Sequence, residues 1–413
     1  MDDAPPASIF QVRVVNAGNS CYLDSVLFAM FATPSALDSL LTRHLTSTDF
    51  QTRFKQELQA GISKHFVARL RASENVTADM ISSIRLLCRK CGWEYVGAPD
   101  QQQDAGEFFS FLHRALGGQQ IRLTRRTFTG ALPDNSDKGH EEHMSLLPVP
   151  LDPGDHGAMA GPTELTSLLD TWFYENVAAG LRRKVSGQEQ EVVALNTYAV
   201  ENVPAVVAVS LKRFDEQLQK SDADVPFPDT LHLHKYSARV EWRGSPVMQS
   251  VPWHLKSVVC HRGRSTDTGH YYAYTRYSRH LGPNSVWLRF DDAGSPCITQ
   301  HSSVCEDPYA RSESVIFLYE LDTDAHTAAL MMLQDEEEQR GLMCAYGFFG
   351  AGHAGGHAQG LGVAGSSSAS SSLPQHEPES YAGLPAPRED QAREGKGQEE
   401  AGKQEQQGQG AGG

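Results

Sequence analysis

The alternation of apolar and polar positions divides the chain into three textures. Near the start, the turn formers Asn16-Ala17-Gly18-Asn19-Ser20 lead into CYLDSVLFAMF, where Leu23, Val26, Leu27, Met30 and Phe31 recur at helical spacing. The spacing predicts a buried helix with Cys21 at or just before its N-terminus and Pro34 just beyond its end. Residues 36–116 read as mostly helical. DFQTRFKQELQAGISKHFVARL is amphipathic, ADMISSIRLLCRKCG ends on Gly92 as a helix stop, and QQDAGEFFSFLHRAL predicts a helix over roughly 102–116. From about residue 121 the texture is that of strands. RLTRRTFTGAL and HMSLLPVPL are short runs broken by Gly and Pro, and VPAVVAVSLKRF predicts a buried strand. TELTSLLDTWFYENV interrupts them as a helix over about 163–177. HLKSVVCH, HYYAYTRY, VWLRFDD and SVIFLYEL then follow at a spacing that suits an antiparallel sheet.

The third texture begins after residue 323. AHTAALMMLQDEEEQRGLMCAYGFF predicts at most one short helix, near 326–345. From Gly350 onward the chain is Gly, Ala, Ser, Gln and Glu with almost no large apolar side chain, so it buries too little surface to offset its ordering entropy. This segment is expected to be disordered, and it accounts for a hydrophobic content of only 39%.

Charge narrows the partners. A formal net charge of −15 and a pI near 5.6 argue against nucleic acid or an anionic lipid surface, which call for Lys- and Arg-rich faces. The 7 cysteines are odd in number and scattered, unlike a disulfide framework. MDDAPPASIF lacks the charged-then-apolar pattern of a secretory signal, and no apolar run approaches the roughly 20 residues that span a bilayer. The expectation is an intracellular, thiol-reduced protein of the cytoplasm or nucleus, in which the sequon Asn75-Val76-Thr77 carries no meaning.

The candidate chemistry is that of a thiol. A nucleophilic cysteine needs access, a lowered pKa and a stabilised oxyanion, and a helix N-terminus favours negative charge. Cys21 has that local setting, although a lone cysteine on an apolar helix is more often an inert core thiol. A base is expected far away in sequence. Among 17 histidines, His270 follows Gly269, which allows close backbone approach, and opens an aromatic strand; Asp291 ends the next strand candidate, where a carboxylate can fix an imidazole tautomer.

Taken together, these runs resemble a known family. Asn16 to Ser25 is similar to the cysteine box of the ubiquitin-specific proteases, a papain-like family, and Gly269-His270-Tyr271-Tyr272-Ala273-Tyr274 with Trp287 to Asp292 is similar to its histidine box. Between them, in matching order, stand Gln103 to Phe108, then Val203-Pro204 leading to Leu211-Lys212-Arg213-Phe214, and Val225 to Pro228. SVIFLYEL resembles the last core strand. The resemblance implies an α+β fold: a lead-in over 1–11, a catalytic domain over 12–323, and a low-complexity tail over 324–413. The catalytic domain would comprise a helical thumb (about 12–118) and, over about 119–323, an antiparallel β palm with reduced fingers. It implies Cys21 as nucleophile, His270 as base, Asp291 as its orienter with Asp292 in support, and Asn16 as oxyanion donor. Asp104 and Glu107, three apart and so expected on one helix face, would bind the basic tail of ubiquitin beside Gly269 and Tyr271.

The implied activity is hydrolysis of isopeptide or peptide bonds after the C-terminal glycine of ubiquitin through a Cys21 acyl-enzyme. Ubiquitin and ubiquitinated proteins would be the partners, and no cofactor is called for. The alternatives are a non-catalytic ubiquitin-binding relative or a protease for a ubiquitin-like modifier. The chain also departs from the pattern. No cysteine occurs between Cys91 and Cys260, so the zinc-binding Cys-x-x-Cys pairs common in the family's fingers have no counterpart over 121–200. Cys88 and Cys91 read as ordinary helix thiols, and His140-Glu141-Glu142-His143 is one residue short of a metalloprotease motif. Asp24 stands where Asn is common, and Ala17 where a larger apolar residue is common.

Overall fold

In the computed structural model, the turn before Cys21 places Gly18 (φ 76°) and Asn19 (φ 47°) in the left-handed region that these two residue types tolerate best. The chain then enters helix α1 (Cys21–Phe31). The structure describes residues 4–45, 50–94, 101–128, 139–151, 164–185, 188–215, 217–265, 268–277 and 285–350. Every residue of α1 is buried, as expected of a helix that is apolar nearly all round. Helices α2 (Ser39–Thr42), α3 (Phe50–Ile62), α4 (Ala68–Arg71), α5 (Ala78–Lys90) and α6 (Ala105–Ala115) complete the helical half. The Thr77 hydroxyl caps α5 by accepting from the Met80 N–H, and the helix stops at Gly92 with φ 91°, the stop that the sequence predicts. Helix α6 starts three residues later than expected because Asp104 is its N-cap, accepting from the Glu107 N–H at 2.8 Å.

Two sheets follow. One is antiparallel with order β2-β1-β5-β4, built from β1 (Ile121–Phe128), β2 (His140–Met144), β4 (Asn176–Val185) and β5 (Gln188–Val200). Between them run β3 (Leu147–Pro150) and helix α7 (Leu165–Tyr174). The second sheet runs β11-β10-β9-β8-β12-β6-β3, from β6 (Val206–Lys212), β8 (Trp253–Ser265), β9 (Thr268–Arg276), β10 (Trp287–Phe290), β11 (Ile298–His301) and β12 (Ser314–Leu321). The short β7 (Thr230–Leu231) pairs with β8. All its pairings are antiparallel except β3 with β6. The short helices α8 (Val240–Arg243), α9 (Pro246–Gln249) and α10 (Pro308–Glu313) lie on connections between these strands.

Helix α1 packs on the β8–β9 hairpin. The Ser257 hydroxyl of β8 donates to the Ala29 carbonyl at 2.7 Å, and the Phe28 ring stacks on Phe290 of β10 with centroids 4.6 Å apart. These contacts join the helical half to the sheet and set the height of Cys21 against β9.

The sequence places the start of a tail at residue 324, with one short helix near 326–345. The chain continues as helix α11 (Thr323–Gly350), which packs against α9. Ala329 is buried, Leu330 and Leu333 lie on the sheet-side core, and His326 stacks on His234 at 5.2 Å. The expectation of disorder beyond Gly350 concerns residues outside those described. Among the described residues, no single helix is long and apolar enough to cross a membrane.

Replacing Phe28 by Ala removes a buried ring from the seam between the two halves. The expected loss is about 3–5 kcal/mol of unfolding free energy, measured by equilibrium denaturation; a loss below about 1 kcal/mol would show that the stack does not hold the seam.

Candidate active site

Four elements converge at the N-terminus of α1. Cys21 is its first residue, His270 sits near the start of β9 opposite Arg262 of β8, and Asp291 and Asp292 immediately follow β10. The loop before α1 contributes Asn16. The His270 Nε2–H donates to Asp291 Oδ1 at 2.7 Å, with Asp292 Oδ1 at 3.4 Å. The Cys21 thiol forms a side-chain hydrogen bond with the same ring. With Nε2 turned to the carboxylates, Nδ1 is the nitrogen left for sulfur.

The electrostatics follow from this packing. Burial opposes charge on the His270 ring, but the bonds to Asp291 and Cys21 and the charges of Cys21 and Asp292 outweigh it, raising its pKa to about 10. Burial likewise opposes the Asp291 anion, yet His270, Arg289 and the Ala293 N–H together pull its pKa down to about 2. Arg289 donates to Asp291 Oδ2 at 3.0 Å while its guanidinium lies over the Tyr272 ring at 4.8 Å. Sequence reasoning assigned Arg289 no role, although two residues apart at a strand end is a spacing that places both side chains on one side.

Asp292 is a junction. Its Oδ2 accepts from Asn16 Nδ2 at 2.7 Å, so Asn16 is held close to the base as well as to the nucleophile. Asn16 Oδ1 also accepts from the Ser20 N–H at 3.3 Å. The Asp24 carboxyl, for which no role was expected, makes hydrogen-bond contact with Asp292 from α1.

Gly269 has φ 148°, and a Cβ there would meet Arg262 O at 2.5 Å and the ring of His261 at 2.5 Å. The close approach inferred from the sequence is therefore made to β8, one strand over. His261 itself is buried, and desolvation, with the nearby Lys220 and His270 charges, lowers its pKa to about 4, so it stays neutral beside a charged His270. Tyr271 is buried against the His261 ring at 4.6 Å, and its hydroxyl accepts from the Ala105 N–H, tying β9 to the start of α6.

A cleft of about 760 Å³ opens beside these groups, lined by Asp104, Glu107, Tyr271, Lys212, Phe214 and Leu218 among others. Asp104 and Glu107 both reach it, but not as two residues on one helix face. Asp104 precedes the helix and spends one oxygen as its cap. Elsewhere, burial pushes the Cys88 thiol up and Cys91 up to about 11, the reverse of what a metal-binding thiolate needs. His140 and His143 lie on strand β2, where residues three apart point to opposite faces.

A family model described as ubiquitin carboxyl-terminal hydrolase matches residues 12–319, well over half of the 413-residue chain. The chain belongs to this family of ubiquitin-specific proteases. Among curated proteins it is 24% identical over 301 residues to the "Probable ubiquitin carboxyl-terminal hydrolase 16" of Schizosaccharomyces pombe, covering 68% of this chain and 61% of that protein. It is also 24% identical over 337 residues to ubiquitin carboxyl-terminal hydrolase 36 of Drosophila melanogaster, covering 75% of this chain and 30% of that protein. The match thus spans less than two thirds of either relative. Among solved structures, the fold is similar to the SAGA DUB module of Ubp8, Sgf11, Sus1 and Sgf73 bound to monoubiquitin. The TM-score is 0.54 at 16% identity, over 78% of this chain and 71% of that one.

The raised pKa of His270 has a defined sign. Its proton contributes stability that is fully present below the ordinary imidazole value of about 6.5. That contribution is lost as pH rises through about 10. Asp291→Ala is expected to shift the His270 titration towards acid, read by NMR of ring-labelled histidine. An unchanged titration would contradict Asp291 as the partner that holds the charge.

Proposed function

We propose that the protein is a cysteine-type deubiquitinase, acting on isopeptide or peptide bonds that follow the C-terminal glycine of ubiquitin. The observation that carries this reading is the hydrogen-bonded series Cys21, His270, Asp291. It is supported by family membership, and by the structural likeness to a module bound to monoubiquitin.

In the proposed reaction the proton of Cys21 already rests on His270, as a thiolate–imidazolium pair, and the sulfur attacks the glycine carbonyl. The developing oxyanion is met by Asn16, whose second amide hydrogen is not used by Asp292, and by the N-terminal turn of α1. Collapse breaks the C–N bond, and the leaving amine takes the proton from His270. Water then attacks the thioester, giving a proton to His270, and the C–S bond breaks to release the ubiquitin carboxylate and restore Cys21. Asp291 keeps the ring oriented throughout, with Arg289 holding Asp291 and Asp292 flanking the ring. Asp104 and Glu107 give the cleft wall a negative charge suited to a basic peptide tail, Tyr271 lines the same cleft, and Gly269 lets its strand pass close to β8 just before His270. Ubiquitin and ubiquitinated proteins are the proposed partners, in an intracellular, reducing setting that keeps Cys21 a thiol.

Cys21→Ser is expected to abolish release of a fluorophore from a ubiquitin C-terminal amide, and wild type, unlike the variant, should form an adduct with a ubiquitin C-terminal electrophile on mass spectrometry. Undiminished turnover by the variant would remove Cys21 as nucleophile. An adduct without turnover would mark the chain as a binder.

A further inference from the structure

The reaction above makes no use of Asp24, yet this is the most deeply enclosed carboxyl near the site. It lies on the first turn of α1, three residues after Cys21, with a relative exposure of 0%. Its Oδ2 accepts from the Ser20 hydroxyl at 2.6 Å. The Ser20 oxygen accepts in turn from the Ala17 N–H at 2.8 Å. The Asp292 side chain is equally sealed, at 0% exposure, and its Oδ2 is occupied by Asn16. The two carboxyls are in hydrogen-bond contact; among the described residues Oδ1 of Asp24 has no other hydrogen-bond partner, and Oδ1 of Asp292 has only the His270 ring at 3.4 Å.

The surrounding charges do not neutralise a pair of anions. Arg85 is the cation on the thumb side, but its terminal nitrogens donate to the carbonyls of Ala17 at 3.0 Å and Gly18 at 2.8 Å. From the sheet, the His270 ring faces Asp292 but is already bonded to Asp291. Two carboxylates in a buried contact beside a third anion, Asp291, cannot all stay ionised. Burial, and then the charge of Asp292, hold the Asp24 carboxyl well above the usual carboxylate range, and burial also raises Asp292.

We propose that Asp24 works as a neutral carboxylic acid and a positioning residue, donating its O–H to Asp292 and thereby fixing the carboxylate that holds both Asn16 and His270. The proton stays on Asp24 and the negative charge stays on Asp292, where the imidazolium and the Asn16 amide use it. The proton is not consumed in any step. An Asn side chain at this position would carry an N–H that can donate the same bond, whereas Asp needs a proton to do so. The catalytic consequence rests on the reading of Cys21 and His270 given above, whereas the protonation state does not.

The test uses the full chain with Asp24→Asn and Asp24→Ala. Difference infrared spectroscopy of aspartate-labelled protein at neutral pH, without ubiquitin, should show a carbonyl stretch of a protonated carboxylic acid in wild type that Asp24→Asn lacks; its absence from wild type overturns the proposal. The rate of iodoacetamide alkylation of the Cys21 peptide, followed against pH by mass spectrometry, should shift in Asp24→Ala and be restored in Asp24→Asn. On a ubiquitin amide substrate, Asp24→Ala should lose about 10- to 100-fold in kcat/KM, the worth of a hydrogen bond to a charged group. A fully active Asp24→Ala, or a folded Asp24→Asn as impaired as Asp24→Ala, overturns the positioning role. Should wild type cleave no ubiquitin substrate, the infrared and alkylation measurements still decide the state of Asp24.

Discussion

The fold depends on burying helix α1 on every side. A helix whose eleven residues are all inaccessible needs walls all round, and the chain supplies them from opposite ends of the sequence: α6 on one flank and strands β8 and β9 on the other. Cys21 is the first residue of this helix, so core packing, and not a flexible loop, fixes its place. The same requirement costs something, because Asp24 and Ser25 are carried into the interior with the apolar residues and Asp24 must find a partner there.

That partner defines the second constraint. Asp291 and Asp292 face one imidazole and, with Cys21, hold it charged, while Asp24 lies behind Asp292. Arg289 keeps Asp291 ionised, while Asp292 spans the nucleophile side and the base side by holding Asn16 and facing His270. The site is a small ionic lattice, in which moving one charge alters the others.

Much of this was legible in the sequence. Helical spacing behind a Gly-Asn turn located the start of α1, and Gly92 and the four terminal strands stood close to where their patterns placed them. What was missed has physical causes. Strand β11 is four residues long and takes its register from β10, so it leaves no periodic trace of its own. Strands β4 and β5 pair along a polar hairpin with little alternation to detect. Asp104 looked like one member of a helix-face pair because spacing does not distinguish an N-cap from the first helical turn. Asp24 and Arg289 were given no role because their importance lies in contacts with residues remote in sequence or across a strand end, which no local window contains.

Asn16 and Asp292 are joined by one hydrogen bond yet lie 276 positions apart. Such long-range closure comes late in assembly, since the loop entropy must be met before the contact can repay it. The chain emerges from synthesis with Cys21 first and His270 more than two hundred residues later. Throughout that interval helix α1 has no sheet to lie on. A product truncated anywhere before residue 270 lacks the ring that Cys21 bonds to, so the site cannot assemble in incomplete chains.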